Sequence, residues 1–61
     1  MTDFEMYKNL LDKSNTRYFL EQNEINYIVS VQDDNVAFYM YFDILTEEIT
    51  DSELNCFVYS E

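Results

Sequence analysis

Hydrophobic and polar positions alternate most cleanly between Ile25 and Asp43. The run Ile25–Gln32 sets Ile25, Tyr27, Val29 and Val31 on one side and Asn26, Ile28, Ser30 and Gln32 on the other. The run Val36–Asp43 sets Val36, Phe38, Met40 and Phe42 against Ala37, Tyr39, Tyr41 and Asp43. Side chains of a strand point to opposite faces with period two, so both runs read as strands. Asp33-Asp34-Asn35 joins them, which predicts a β-hairpin. A turn centred on Asp33 and Asp34 pairs Val31 with Val36, Val29 with Phe38, Tyr27 with Met40, and Ile25 with Phe42. Moving the loop to Asp34-Asn35 keeps the same parity, so these eight side chains share one face either way.

The period changes upstream. Phe4, Tyr7, Leu10 and Leu11, with Met6 beside them, follow the spacing of an apolar helical stripe, predicting a helix over Thr2–Lys13. Thr2 is placed as N-cap and Glu5 as its capping-box partner. Asp3 and Glu5 fall at the start and Lys13 at the end, where the helix dipole favours them. Ser14-Asn15 ends the helix. Thr16–Glu21 is a first strand, with Tyr18 and Leu20 opposed to Arg17, Phe19 and Glu21, and Gln22-Asn23-Glu24 turns it into the hairpin. Residues 44–53 show neither period and read as a loop with one helical turn. Leu54–Tyr59 alternates again as a last strand, burying Cys56 between Leu54 and Val58 as a small hydrophobe. The chain has no glycine and no proline, so any positive φ falls to Asn15, Asn23 and Asn35.

This order predicts a single α+β domain over 1–61, with the N-terminal helix packed on one face of a three- to four-stranded antiparallel sheet. The helix covers the Val29/Phe38 face. The opposite face carries Phe19, Ile28, Tyr39, Tyr41, Phe57 and Tyr59, too aromatic for a solvated face. Such a patch marks a dimer or partner surface, or else cross-strand packing in a thin sheet.

Composition sharpens the functional side. In 61 residues, 48% hydrophobic and 18% aromatic, there is enough apolar material to fold. A core this small supplies only about 3–5 kcal/mol, and one cysteine with no histidine removes disulfides and zinc as supports. Self-association is the remaining route, and a homodimer is expected. Without histidine there is no Cys–His or Ser–His nucleophile, and without glycine no phosphate loop. Asp33-Asp34-Asn35 and Glu47-Glu48 lack the spacing of a calcium loop. No enzyme, cofactor or metal is expected. No signal segment or membrane span is visible, which points to the cytoplasm.

Thirteen acidic residues face three basic ones, for a formal charge of -10. The basic residues, Lys8, Lys13 and Arg17, all lie in the first third. That balance argues against direct binding to nucleic acid or anionic lipid and favours a basic partner. Along a strand, carboxylates at i and i+2 stand about 6–7 Å apart, resembling the spacing of successive phosphates. Asp33, Asp34, Asp43, Glu47, Glu48, Asp51 and Glu53 are the candidate phosphate-mimicking carboxylates.

In size, charge, aromatic strands and helix-on-sheet order, the chain resembles the small acidic host-takeover proteins of bacteriophages. These include DNA-mimic inhibitors of uracil-DNA glycosylase, of restriction and CRISPR nucleases, and of the nucleoid protein HU. The resemblance implies an inhibitor that occupies the DNA-binding surface of a basic host protein in the bacterial cytoplasm, with an HU-type target favoured by an expected dimer. Two other readings stand beside it: an adaptor that binds through the Tyr39/Tyr41 face, and inhibition of a uracil-DNA glycosylase or a defence nuclease.

Overall fold

The computed structural model describes residues 1–56. Its first element, α1, spans Asp3–Lys13 and begins with the capping box read from the sequence. Thr2 Oγ1 accepts from the Glu5 N–H at 3.2 Å, and Thr2 donates its N–H back to the Glu5 carboxylate. The first turn is also tied to the loop before the last strand, where Phe4 donates its N–H to the Glu47 carbonyl at 3.1 Å. The helix ends in a Schellman arrangement: Thr16 N–H donates to the Leu11 carbonyl, Asn15 N–H donates to the Asp12 carbonyl, and Asn15 sits at φ 57°. Capped at both ends, a helix of this length still needs a sheet to pack on.

That sheet has four antiparallel strands in chain order: β1 (Phe19–Gln22), β2 (Asn26–Asp33), β3 (Val36–Asp43) and β4 (Ile49–Cys56). Helix α1 lies on the face expected for it. Phe4 and Leu11 from the helix meet Val29 and Phe42 from the sheet, with Tyr7, Tyr18, Tyr27, Val31 and Met40 packed around them. Phe4 stacks flat on Tyr27 with ring centroids 4.4 Å apart and tilts against Phe42 at 5.2 Å. Val29 and Phe42 are fully excluded from solvent. No polar or charged side chain among the described residues is buried, so exclusion of apolar surface supplies most of the stabilisation.

The register is that of the second loop placement, Asp34-Asn35, and departs by two residues from the pairing with a turn centred on Asp33 and Asp34. Val31 faces Phe38, Val29 faces Met40 and Tyr27 faces Phe42, with Asp33 opposite Val36 and a loop of Asp34-Asn35. A slip of two preserves every side chain's face, so the core composition survives. Ile25 falls outside β2 and is exposed; its carbonyl accepts from the Ile44 N–H. Leu10 also leaves the expected stripe and is 60% exposed, because the core contacts of α1 run through Phe4, Tyr7 and Leu11.

The larger correction concerns residues 44–53. β4 begins at Ile49 rather than Leu54, leaving only a short loop after β3. A bulge at Tyr41/Phe42 explains why the pattern hides the strand: Ile49 stands opposite Phe42, but the next pairs are Asp51 with Tyr41 and Ser52 with Met40. Ile49 and Leu54 thus reach the same face although their positions differ in parity. Positive φ is likewise redistributed. Glu47, at φ 64°, joins Asn15, while Asn23 and Asn35 stay in the ordinary region. Asn23 turns the chain through its side chain instead, accepting from the N–H groups of Ile25 and Asn26. Cys56 is exposed rather than buried, since it ends an edge strand opposite Val36, away from the helix.

Candidate functional site

The face of the sheet opposite α1 has no second layer among the described residues. Strand pairing organises its side chains into rows that cross all four strands. One row runs Phe19, Ser30, Tyr39, Glu53; the next runs Glu21, Ile28, Tyr41, Asp51. Each row therefore passes through a β3 tyrosine and ends on a β4 carboxylate. Asp43, opposite Asn26, closes the face at one end, and Asn55, opposite Ala37, lies toward the other. Neighbouring strands lie about 4.8 Å apart, so each tyrosine is a direct lateral neighbour of its carboxylate.

Electrostatics follow from this placement. The Tyr41 phenol is pushed above its ordinary value by desolvation first, then by the negative charges of Glu53 and Asp51 and a hydrogen bond to Glu53. It stays neutral and is a hydrogen-bond donor at neutral pH. Lys8 and Lys13 lie on the helix, on the far side of the sheet, and Arg17 lies in the α1–β1 connection, so the strands carry no cation. Lys8 is further occupied, its Nζ 4.3 Å from the Phe4 ring centroid. The four strands consequently present anions and tyrosines on the open face and contribute no basic side chain to it.

The seven carboxylates expected to act together divide into three groups. Asp33 and Asp34 are at the β2–β3 tip, and Asp33 Oδ1 accepts the Asp34 N–H at 2.8 Å. Asp51 and Glu53 lie on the open face of β4. Asp43, Glu47 and Glu48 surround the β3–β4 loop, where two of them are engaged in holding the fold. Asp43 Oδ1 accepts the N–H groups of Leu45 and Thr46, and these bonds, that from Thr46 foremost, hold its carboxyl below the usual range. Glu47 accepts from Thr2 Oγ1 at 2.8 Å, fastening the loop to the helix cap. The three groups thus lie at the two ends of β3 and on β4.

Of the expected aromatic face, Phe19, Ile28, Tyr39 and Tyr41 do share one side, and Phe19 is 58% exposed. Ser30 separates Phe19 from Tyr39, so the aromatic surface is interrupted. Phe57 and Tyr59 lie outside the described residues. Sequence reasoning missed Glu21, which completes the second row, and the pairing of tyrosines with carboxylates. Both depend on the position of β4 and on cross-strand register, and period-two counting within one strand does not report either.

No group of three or more His, Cys, Asp or Glu residues among the described residues is placed to hold a metal ion. No helix among them is long and apolar enough to cross a membrane. An open depression of about 460 Å³ beside the α1–β1 connection is lined by Asp12, Asn15, Thr16, Arg17 and Tyr18. The chain matches no protein-family model, and no curated protein and no solved structure proved similar to it.

Proposed function

We propose that this protein is an acidic decoy that binds a basic host DNA-binding protein, of the nucleoid HU type, and occupies the surface that otherwise grips DNA. One observation carries the reading. Asp51 and Glu53 project from successive same-face positions of a strand, beside Tyr39 and Tyr41, in a sheet whose strands contain no basic residue. The strand sets their separation at about 6–7 Å and the sheet holds it. Asp34 at one end and Glu48 at the other extend the anionic margin. A cleft evolved to neutralise phosphates gains from such a surface by the same release of counterions that drives DNA binding.

The test is binding to a purified HU-type protein across a salt series, with duplex DNA as competitor. The decoy reading expects affinity to fall steeply with salt, DNA and decoy to exclude each other, and the Asp51→Asn, Glu53→Gln double variant to bind more weakly. Binding that ignores salt, or a ternary complex with DNA, refutes it. The exposed Phe19 favours a second reading, an adaptor that docks through its tyrosine face. There Tyr39→Ala abolishes binding and the carboxylate variants leave it intact.

A further inference from the structure

β4 is the long free edge of the sheet. Among the described residues it pairs only with β3, and all eight of its residues are exposed. The other edge, β1, is half as long. Natural edge strands are blunted by charged side chains, proline, bulges or brevity, because free N–H and C=O groups invite another strand. β4 has no lysine and no proline and is eight residues long; its guards are a bulge at Thr50 and its carboxylates, which repel an acidic strand and admit a basic one. Ser52 instead donates its N–H to the Asp51 carboxylate at 2.8 Å, a local substitute for a strand partner.

The two sides of the edge differ in chemistry. Asp51 and Glu53 project on the open face, whereas Ser52, Leu54 and Cys56 project on the helix face, where Leu54 is 62% exposed. A second copy pairing here would bring the carboxylates of both chains together, and like charges on adjacent strands repel. A segment with Lys or Arg at alternate positions and apolar residues between them meets the opposite situation on both sides. The geometry points to β4 as a docking edge for an extended, basic segment of a partner protein, added as a fifth strand. This inference rests on the preceding reading for the partner's basic character and adds the element that holds it.

The probe is a synthetic peptide of alternating Lys and Val, compared with a counterpart of equal charge whose alternate backbone amides are N-methylated. The unmodified peptide is expected to bind the full chain and slow hydrogen exchange of the β4 amides, and the methylated one to bind about tenfold more weakly. Asp51→Asn with Glu53→Gln should weaken both. Equal binding of the two peptides, failure of both to bind, or protection that falls on β1 overturns the inference. So does concentration-dependent β4 protection without peptide, which assigns the edge to a second copy. An HU-type protein that competes with DNA while leaving β4 exchange unchanged overturns the docking edge and leaves the decoy reading standing. Peptide pairing at β4 with no binding to such a protein does the reverse.

Discussion

Replacing Phe42 tests the whole arrangement most directly. Its ring is fully excluded from solvent, 5.2 Å from the Phe4 ring and 5.8 Å from that of Tyr7. Truncation to alanine in such a site costs about 3–5 kcal/mol, from lost transfer energy and the cavity left behind. A domain of 61 residues has in total about 3–9 kcal/mol at the usual stability per residue. Phe42→Ala should therefore remove from about a third of that stability to all of it at 25 °C. Phe42→Leu retains most of the volume and should cost about 1–2 kcal/mol. The informative control is Leu10→Ala. Leu10 belongs to the same sequence stripe as Phe4 and Leu11 but is exposed, so its truncation should stay within about 0.5 kcal/mol. Urea unfolding followed by circular dichroism reads all three variants. If Leu10→Ala costs as much as Phe42→Leu, the helix is rotated from the orientation described and the core assignment fails.

Three further outcomes follow from the site. The depressed pKa of Asp43 means that its contribution to stability is present above the ordinary value of 3.8 and is lost as pH falls through the lower folded value. Asp43→Ala should thus be less stable than the parent at pH 7, with the gap closing in strong acid; a gap independent of pH down to 2 contradicts the Leu45 and Thr46 bonds. In an ultraviolet titration, Tyr41 should ionise later than an ordinary tyrosine, and Glu53→Gln should bring its transition down. No downward change means that the phenol and the carboxylate are not neighbours. Because its folded pKa is raised, Tyr41 adds to the loss of stability as pH rises through about 10. Glu53→Gln should change overall stability by no more than about 0.5 kcal/mol at low salt, in the direction of a gain, when measured by urea unfolding. A larger loss makes Glu53 a structural residue.

Local signals in the sequence were read well and long-range ones were not. The capping box at Thr2 and Glu5 and the left-handed Asn15 are properties of a few consecutive residues, and both hold. The faces of β2 and β3 were legible because parity is indifferent to a two-residue slip, whereas the pairs themselves were not. β4 was hidden for two physical reasons. The bulge at Thr50, opposite Tyr41 and Phe42, breaks its alternation, and Asp51, Ser52, Glu53 and Asn55 are poor strand formers that only pairing with β3 holds extended. The charge on the candidate site was thus visible in the sequence, but its placement beside Tyr39 and Tyr41 needed the register.

That placement separates two uses of negative charge within one small domain. Asp3 accepts the Ile49 N–H, Glu5 closes the capping box, Asp43 holds the loop and Glu47 ties that loop to Thr2. These carboxylates offset their own repulsion by satisfying donors at the helix start and in the β3–β4 loop. Asp51 and Glu53 contribute differently: one accepts from an adjacent backbone group and the other stands beside the tyrosines of β3 on the same open face. Neither spans two elements of the core. Charge that a fold can lose without penalty, while its repulsion opposes compaction, persists most readily where an outside contact requires it. The open face of β4 is where stability and binding should therefore respond oppositely to neutralisation, and the loop carboxylates are where they should fall together.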